Sequence, residues 1–418
     1  MTTPKCGALV VGAGPGGTAV LGGLLEQQLG KIAWVDPSFE SGRVNRKYRE
    51  VPRWVQSSER SFKVSGSITN SYINSNTTVK LFQTYSTVWE SFRTVVENTP
   101  QPNAFTVLDK LDPNKTCRLH YAADMVRDLT DGLVKRDDVL PCRGFVTAAS
   151  LIDKTPDSPK WMVRVKQDDS SDELEIEASR IVLCTGSHPT KTPLPVSGLD
   201  IETLDLDLVL KPSLLAESLP SDEPITIAVV GASHSAILAL LNFVELASTS
   251  HPQLRVKWFT RHALRYAEYM DGWILRDNTG LKGHAAEFAR AELEDDKLAT
   301  SPAGKIITKI DCSGGPDRET AQYHAQLPDC SYFCAAVGFT KDPLPHLTKD
   351  GAPLNMEFDH ETGRFHERGS DSVVPGLFGA GIAFPERVVD PYGNVELAVG
   401  FFKFMKFLKR VIPSWTGA

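Results

Sequence analysis

Nine residues near the start constrain this chain more than any others: Leu9, Val10 and Val11, an apolar run, lead into Gly12-Ala13-Gly14-Pro15-Gly16-Gly17. A G-x-G-x-x-G spacing that closes a strand and opens a helix is the turn of a dinucleotide-binding α/β unit. Gly12 permits the tight turn, Gly14 lets a pyrophosphate approach the backbone, and Gly17 lets the helix pack close to the strand. Pro15 and Gly16, the first helical positions, complete the set facing the phosphates, where free N–H groups and the positive end of the helix dipole favour anions. The strand is expected over Leu9 to Gly12 and the helix over Gly16 to Gln28, with a second strand over Ile32 to Asp36. Asp36, 24 positions after Gly12, is placed to accept from a ribose hydroxyl. A glycine-rich turn in a nucleotide-free α/β protein is the competing reading; strand, helix and acid in register weigh against it.

A second unit begins at Ile227-Ala228-Val229-Val230-Gly231. Here Ser233 and Ala236 stand where the second and third glycines would be, and Ser235 lies beside the same turn. The turn is compatible with a diphosphate and less diagnostic. Its partner strand, Val256 to Thr260, ends at Arg261 and His262, where an acid would favour a free ribose 2′-hydroxyl and a cation favours a 2′-phosphate. NADPH is therefore expected over NADH, with Arg265 able to substitute for Arg261; a solvated strand-end charge is the alternative. His234, inside the turn, could neighbour the phosphates or be exposed and idle.

Between and after these units the pattern is α/β throughout. A stretch without clear period, Pro37 to about Leu119, reads as an excursion facing cofactor or substrate. A helix is expected over Tyr121 to Lys135. Strands follow near Phe145 to Ile152, Trp161 to Lys166 and Leu174 to Thr185, with a hairpin tip at Gln167 to Asp172. Ile181 to Gly186 is an apolar strand ending in Thr-Gly, where backbone passes a cofactor or another strand, which makes Gly186 a candidate contact. The prolines 189, 193 and 195 mark a crossover, and a return connector is expected near Tyr332 to Pro345. The fold class is thus α/β with two Rossmann-like dinucleotide-binding domains: a discontinuous first domain, 1–190 and 335–418, into which the second, 191–334, is inserted. Late in the chain, Gly376-Leu377-Phe378-Gly379-Ala380-Gly381 reads as a short strand and small-residue turn. Asn394 to Leu408 reads as the helix after it.

Composition removes other classes. At 418 residues two domains are the natural expectation. A net charge of -7 argues against a nucleic-acid binder, and no run of about 18 apolar residues is present to span a membrane. Ala8 to Leu25 is apolar enough to resemble a signal peptide, but it has no basic stretch beyond Lys5 and is rich in glycine, so it reads as folded structure. The 7 cysteines are scattered. The closest pair, Cys330 and Cys334, lacks the two-residue spacing of a redox pair, and reduced thiols in a cytoplasmic protein are expected. The Asn76 and Asn114 sequons read as chance. Histidines show no metal spacing, and no metal is expected.

The order of these motifs resembles the two-dinucleotide-binding-domain flavoproteins, which include thioredoxin-reductase-like enzymes and flavin-dependent N- and S-monooxygenases. The resemblance covers most of the chain and rests on four short motifs. It implies that Gly12, Gly14, Gly17 and Asp36 hold the ADP half of FAD. It further implies that Gly379 to Gly381 lie against the ribityl and inner phosphate, and that the helix starting at Asn394 points its N-terminus at the flavin. Ile382 departs from the acid that many relatives carry after the Ala-Gly, and the redox cysteine pair of the disulfide reductases is missing. The implied activity is an NADPH-dependent monooxygenase that hydroxylates a small nitrogen- or sulfur-containing metabolite through a flavin C4a-hydroperoxide. The competing activities are an NAD(P)H oxidoreductase serving a quinone-like or protein acceptor, and a flavin-binding regulatory protein with little turnover. Candidate site walls are Arg43 to Ser58, with Asn45, Tyr48, Gln56 and Ser57; Tyr266 to Trp273; and Pro385 to Asn394, with Glu386, Arg387, Asp390 and Tyr392. The apolar helix Phe401 to Phe407 could pack on a second copy to form a homodimer.

Overall fold

A computed structural model describes residues 3–51, 82–84, 86–112, 119–155, 158–167 and 173–417. In chain order the principal elements begin with β1 (Lys5–Cys6), β2 (Ala8–Val11), α1 (Pro15–Leu25), β3 (Ile32–Asp36) and α2 (Gly42–Arg46). There follow α3 (Glu90–Asn98), α4 (Ala104–Asp109), α5 (Leu119–Leu133), β4 (Val139–Asp153), β5 (Lys160–Gln167), β6 (Glu173–Ala178) and β7 (Ile181–Leu183). The middle of the chain gives β8 (Glu202–Thr203), β9 (Ile225–Val230), α6 (His234–Thr249), β10 (Leu254–Thr260), β11 (Ile307–Asp311), α7 (Pro316–Gln326) and β12 (Tyr332–Ala335). The last segment gives β13 (Met356–Phe358), β14 (Arg364–Glu367), β15 (Val373–Gly379), β16 (Glu386–Val389), β17 (Val395–Ala398) and α8 (Phe401–Thr416).

Among the described residues the chain forms two compact units: one from the described residues within 3–46, 82–187 and 341–417, the other from residues 47–51 and 188–340. In the first unit the strand order is β1-β6-β5-β4-β3-β2-β7-β15-β14-β13. Its centre, β4-β3-β2-β7-β15, is parallel. Strands of that kind are covered on both faces and read as unbroken apolar runs, as Ile181-Val182-Leu183 does. The expected single strand from Leu174 to Thr185 is two strands. β6 alternates and pairs antiparallel with β5, then a break at Ser179 and Arg180 lets β7 return beside β2. The 15-residue β4 serves both the parallel and the antiparallel part.

Among the described residues, the stretch read as aperiodic contains α2, α3 and α4. They are short, so a 3.6-residue period has no room to show. α4 is set by its cap: Asn103 accepts from the Thr106 amide at 2.9 Å while the Thr106 hydroxyl accepts from the Asn103 amide at 3.0 Å. α5 buries Met125, Val126, Leu129 and Leu133 along one stripe.

The last helix corrects two expectations. It begins at Phe401, not Asn394, because Val395-Glu396-Leu397-Ala398 alternates in burial and pairs as β17 with β16; Gly400, at φ 137°, then starts the helix. Its apolar face is also used within its own unit. Phe404, Leu408, Val411, Ile412 and Trp415 are buried, Trp415 stacks on Phe378 with centroids 4.7 Å apart, and a side chain at Gly23 of α1 would meet Ile412 Cδ1 at 2.4 Å. That face is not offered to a second copy.

In the second unit β11-β10-β9-β12-β8 form an all-parallel sheet. Tyr332 to Ala335, expected to open the return connector, is instead the sheet's β12. No described helix is long and apolar enough to cross a membrane.

Candidate functional site

The first turn is a cradle with no spare volume. Gly12 sits at φ 100°, a left-handed conformation that costs other residues strain, and a Cβ there would lie 2.4 Å from the Cys184 carbonyl oxygen. A Cβ at Gly17 would lie 1.8 Å from the Gly12 oxygen, and one at Gly16 would lie 2.8 Å from Gly381 Cα. At Gly14 the nearest described atom would be 3.8 Å away, so this position alone opens outward. α1 starts there without a side-chain cap and without an acidic residue in its first turn. Its leading N–H groups, which no residue within the helix can satisfy, are left for an anion.

Strand β3 fastens the turn. Trp34, paired with Val10 in register, donates from Nε1 to the Gly12 oxygen at 3.0 Å. Asp36 is buried, and its Oδ2 accepts from the Ala13 amide at 2.7 Å while Oδ1 accepts from the Ser38 and Phe39 amides at 2.9 and 2.8 Å. A carboxylate has about four acceptor positions. The expected ribose acceptor is therefore first a clasp for the turn, with one position on Oδ2 left for a sugar hydroxyl.

The late glycine turn comes to the same place. Ala380 donates to the Leu183 oxygen at 3.1 Å, and Gly381, at φ 82°, abuts Gly16. Beside them the chain leaves β7 through Thr185-Gly186-Ser187. Thr185 Oγ1 and Ser187 Oγ are buried and have no partner among the described residues. A buried hydroxyl without a partner costs about 1–3 kcal/mol. Two of them beside a Cβ-free, uncapped helix start fit a polar ligand with sugar and phosphate groups. Sequence reasoning missed both hydroxyls, although the Thr-Gly motif pointed to their location.

Asn394 does not join this group. It sits in the β16–β17 hairpin, where its amide and side chain donate to Asp390 at 2.8 Å each, and Tyr392 N donates to Asp390 at 2.9 Å. Glu386 accepts from Arg410 at 2.8 Å. The expectation that Asn394 opens a helix aimed at a flavin fails because the helix starts beyond the hairpin. Ile382 is 40% exposed.

The second turn repeats the first with different tolerances. Gly231 is at φ 130°, its N–H donates to the Phe259 oxygen at 3.0 Å, and Trp258, paired with Val229, donates to the Gly231 oxygen at 2.7 Å. α6 starts at Ser233 with no side-chain cap; Ser233 and His234 are exposed and Ser235 is half-buried. A Cβ at Gly231 would lie 2.4 Å from the Ala336 carbonyl oxygen, as tight as at Gly12, but the third glycine position of this turn holds Ala236, so a methyl is accepted where Gly17 accepts none. The turn opens on a cleft of about 400 Å³ lined by Gly231, Ala232, Arg261, Pro316, Glu319 and Tyr323. Arg261 is paired through Nε with Glu319 Oε1 at 2.7 Å.

Two expected walls are structural. Tyr266 lies under the Arg290 guanidinium, 4.1 Å from ring centre to Cζ, and is hydrogen-bonded to Glu294; burial and that carboxylate push its phenol up. Tyr48 donates to Asp207 at 2.9 Å and Glu50 accepts from Ser213, which binds this stretch to the second unit, while Asn45 is buried. Gln56, Ser57, the Asn76 and Asn114 sequons and the tip beyond Gln167 lie outside the described residues.

The six described cysteines are buried and unpaired. Burial pushes the Cys142, Cys312 and Cys330 thiols up to about 11 and Cys334 to about 12, so none supplies a thiolate near neutral pH. Among the described residues no group of three or more His, Cys, Asp or Glu is arranged to hold a metal.

No family model matches the chain. It is 58% identical over 420 aligned residues, the full length of both chains, to "Monooxygenase AgnR1" from Paecilomyces divaricatus. Among solved structures it resembles OTEMO in an FAD-bound form, with a TM-score of 0.53 at 10% identity, covering 100% of this chain and 99% of that one. It also resembles a mutant flavin monooxygenase from Stenotrophomonas maltophilia, with a TM-score of 0.52 at 12% identity and 99% of both chains covered. At these identities the structures report the fold, a two-domain α/β architecture of Rossmann type.

Proposed function

The chain belongs to the monooxygenase family that includes AgnR1, and from that premise we propose an enzyme that binds FAD in its first unit, oxidises NADPH held by its second, and inserts one atom of dioxygen into a small molecule. The observation that carries this reading is the duplicated turn: one chain builds the same strand–glycine–helix anion site twice, once sealed and once open.

In the first unit the Gly14 to Gly17 backbone would hold the FAD pyrophosphate and Asp36 the adjoining ribose, with Gly186 and Gly381 leaving room for the rest of the chain. Thr185 and Ser187 supply two hydroxyls to its polar groups. In the second unit Gly231, Ser233 and Ser235 would receive the NADPH pyrophosphate and Arg261 the 2′-phosphate. When bound, FAD accepts the hydride and is where dioxygen is activated; the chain's own part is binding, orientation and exclusion of water. The described cysteines are buried and unpaired, so they offer no dithiol to carry electrons onward from the flavin. The resemblance to flavin-dependent N- and S-monooxygenases implies nitrogen or sulfur as the oxidised atom.

Isotopically labelled dioxygen tests the proposal. Purified protein supplied with NADPH and candidate amines or sulfides should place one labelled atom in product for each NADPH oxidised. NADPH oxidation that requires an added quinone and leaves every product unlabelled would sink it.

A further inference from the structure

Arg261 and Glu319 are unlike each other in exposure: the arginine side chain is 60% accessible and the carboxylate only 13%. Arg261 spends its Nε on Glu319 Oε1, and Tyr323 Oη donates to that same oxygen at 2.9 Å. Glu319 and Tyr323 lie one turn apart on α7, so both project toward the carboxyl end of β10. Tyr323 is itself buried and packed on Phe259, with centroids 5.2 Å apart. A continuous line of contacts therefore runs from the sheet through Tyr323 and Glu319 to one edge of the guanidinium. The arginine itself stays largely accessible and lines the cleft.

A free arginine surrenders rotamer freedom when it grips a phosphate. One already tied at Nε surrenders less, and its planar fork is oriented before the ligand arrives. Building on the reading that the second unit binds NADPH, we propose that Glu319 is a positioning residue that presents Arg261 to the 2′-phosphate. Preference for NADPH over NADH then resides in this carboxylate as well as in the arginine. The Glu319 charge is partly offset by Arg261, and one of its oxygens already accepts two donors.

Calorimetry on the full chain with adenosine 2′,5′-bisphosphate and adenosine 5′-monophosphate isolates the 2′-phosphate, since neither probe can turn over. Glu319→Ala should weaken the bisphosphate by about tenfold and leave the monophosphate unchanged. Glu319→Gln, whose amide oxygen can still accept from Nε and Tyr323, should keep most of the affinity. In an Arg261→Ala background Glu319→Ala should add nothing, because the two act as one unit. The proposal is overturned if Glu319→Ala leaves or tightens bisphosphate binding, weakens both ligands equally, or adds fully to Arg261→Ala. Wild-type protein that binds both ligands equally refutes the 2′-phosphate role while leaving a nucleotide domain. If it binds neither, the assignment of the second unit falls too.

Discussion

The two glycine turns share a plan and differ in how they are closed. Each places a tryptophan in register two residues before its glycine and uses the indole N–H to hold that glycine's carbonyl, at 3.0 Å in one and 2.7 Å in the other. Each starts a helix without a side-chain cap. The first then locks itself. Gly17 and Gly16 face backbone too close for any Cβ, and Asp36 takes three amides from the turn and the loop beyond β3. The second admits Ala236, exposes Ser233 and ends its neighbouring strand in an exposed arginine. A pocket that clasps its own turn suits a group that stays. One whose charged residue is tethered only at its edge suits a group that comes and goes.

That contrast can be broken at four positions. Gly17→Ala should be the most damaging, since its methyl meets immovable backbone; a loss on the order of 3 kcal/mol is expected, read as a lower thermal midpoint and loss of bound flavin. Asp36→Asn turns an amide donor toward backbone donors and should lower stability by about 1–3 kcal/mol, with flavin released on dilution. Arg261→Ala should leave flavin content and folding untouched while raising the Kd for NADPH by about tenfold or more and that for NADH hardly at all. Ala236→Gly restores the third glycine to the second turn; it should cost no more than about 1 kcal/mol of helix stability and leave NADPH binding near wild type. Damage from Ala236→Gly as large as that from Gly17→Ala would erase the proposed difference between the turns.

Much of this is legible in the sequence alone. The first strand, turn, helix and acid form a local pattern of fixed spacing, so neighbours in sequence determine neighbours in space. The second unit was legible for the same reason, including the arginine at the end of β10. What the sequence concealed depends on distant partners. Glu319 lies 58 positions from Arg261, and no spacing rule connects them. Val395 to Ala398 falls within the helix expected from Asn394 to Leu408; only pairing with β16 makes it a strand. The apolar stripe of α8 looked available to a second copy, yet the sheet and α1 of its own unit already cover it.

The central claim is that the sealed turn keeps FAD and the open turn exchanges NADPH. A visible spectrum of the purified chain, recorded without oxygen as NADPH is added and again after the solution is passed through a desalting column, tests both halves together. Flavin absorbance equivalent to one FAD per chain, bleached by one NADPH and eluting from the column with the protein while the nicotinamide lags behind, is the predicted result. Protein that stays colourless after incubation with excess FAD, or a flavin that NADPH cannot bleach, would contradict it.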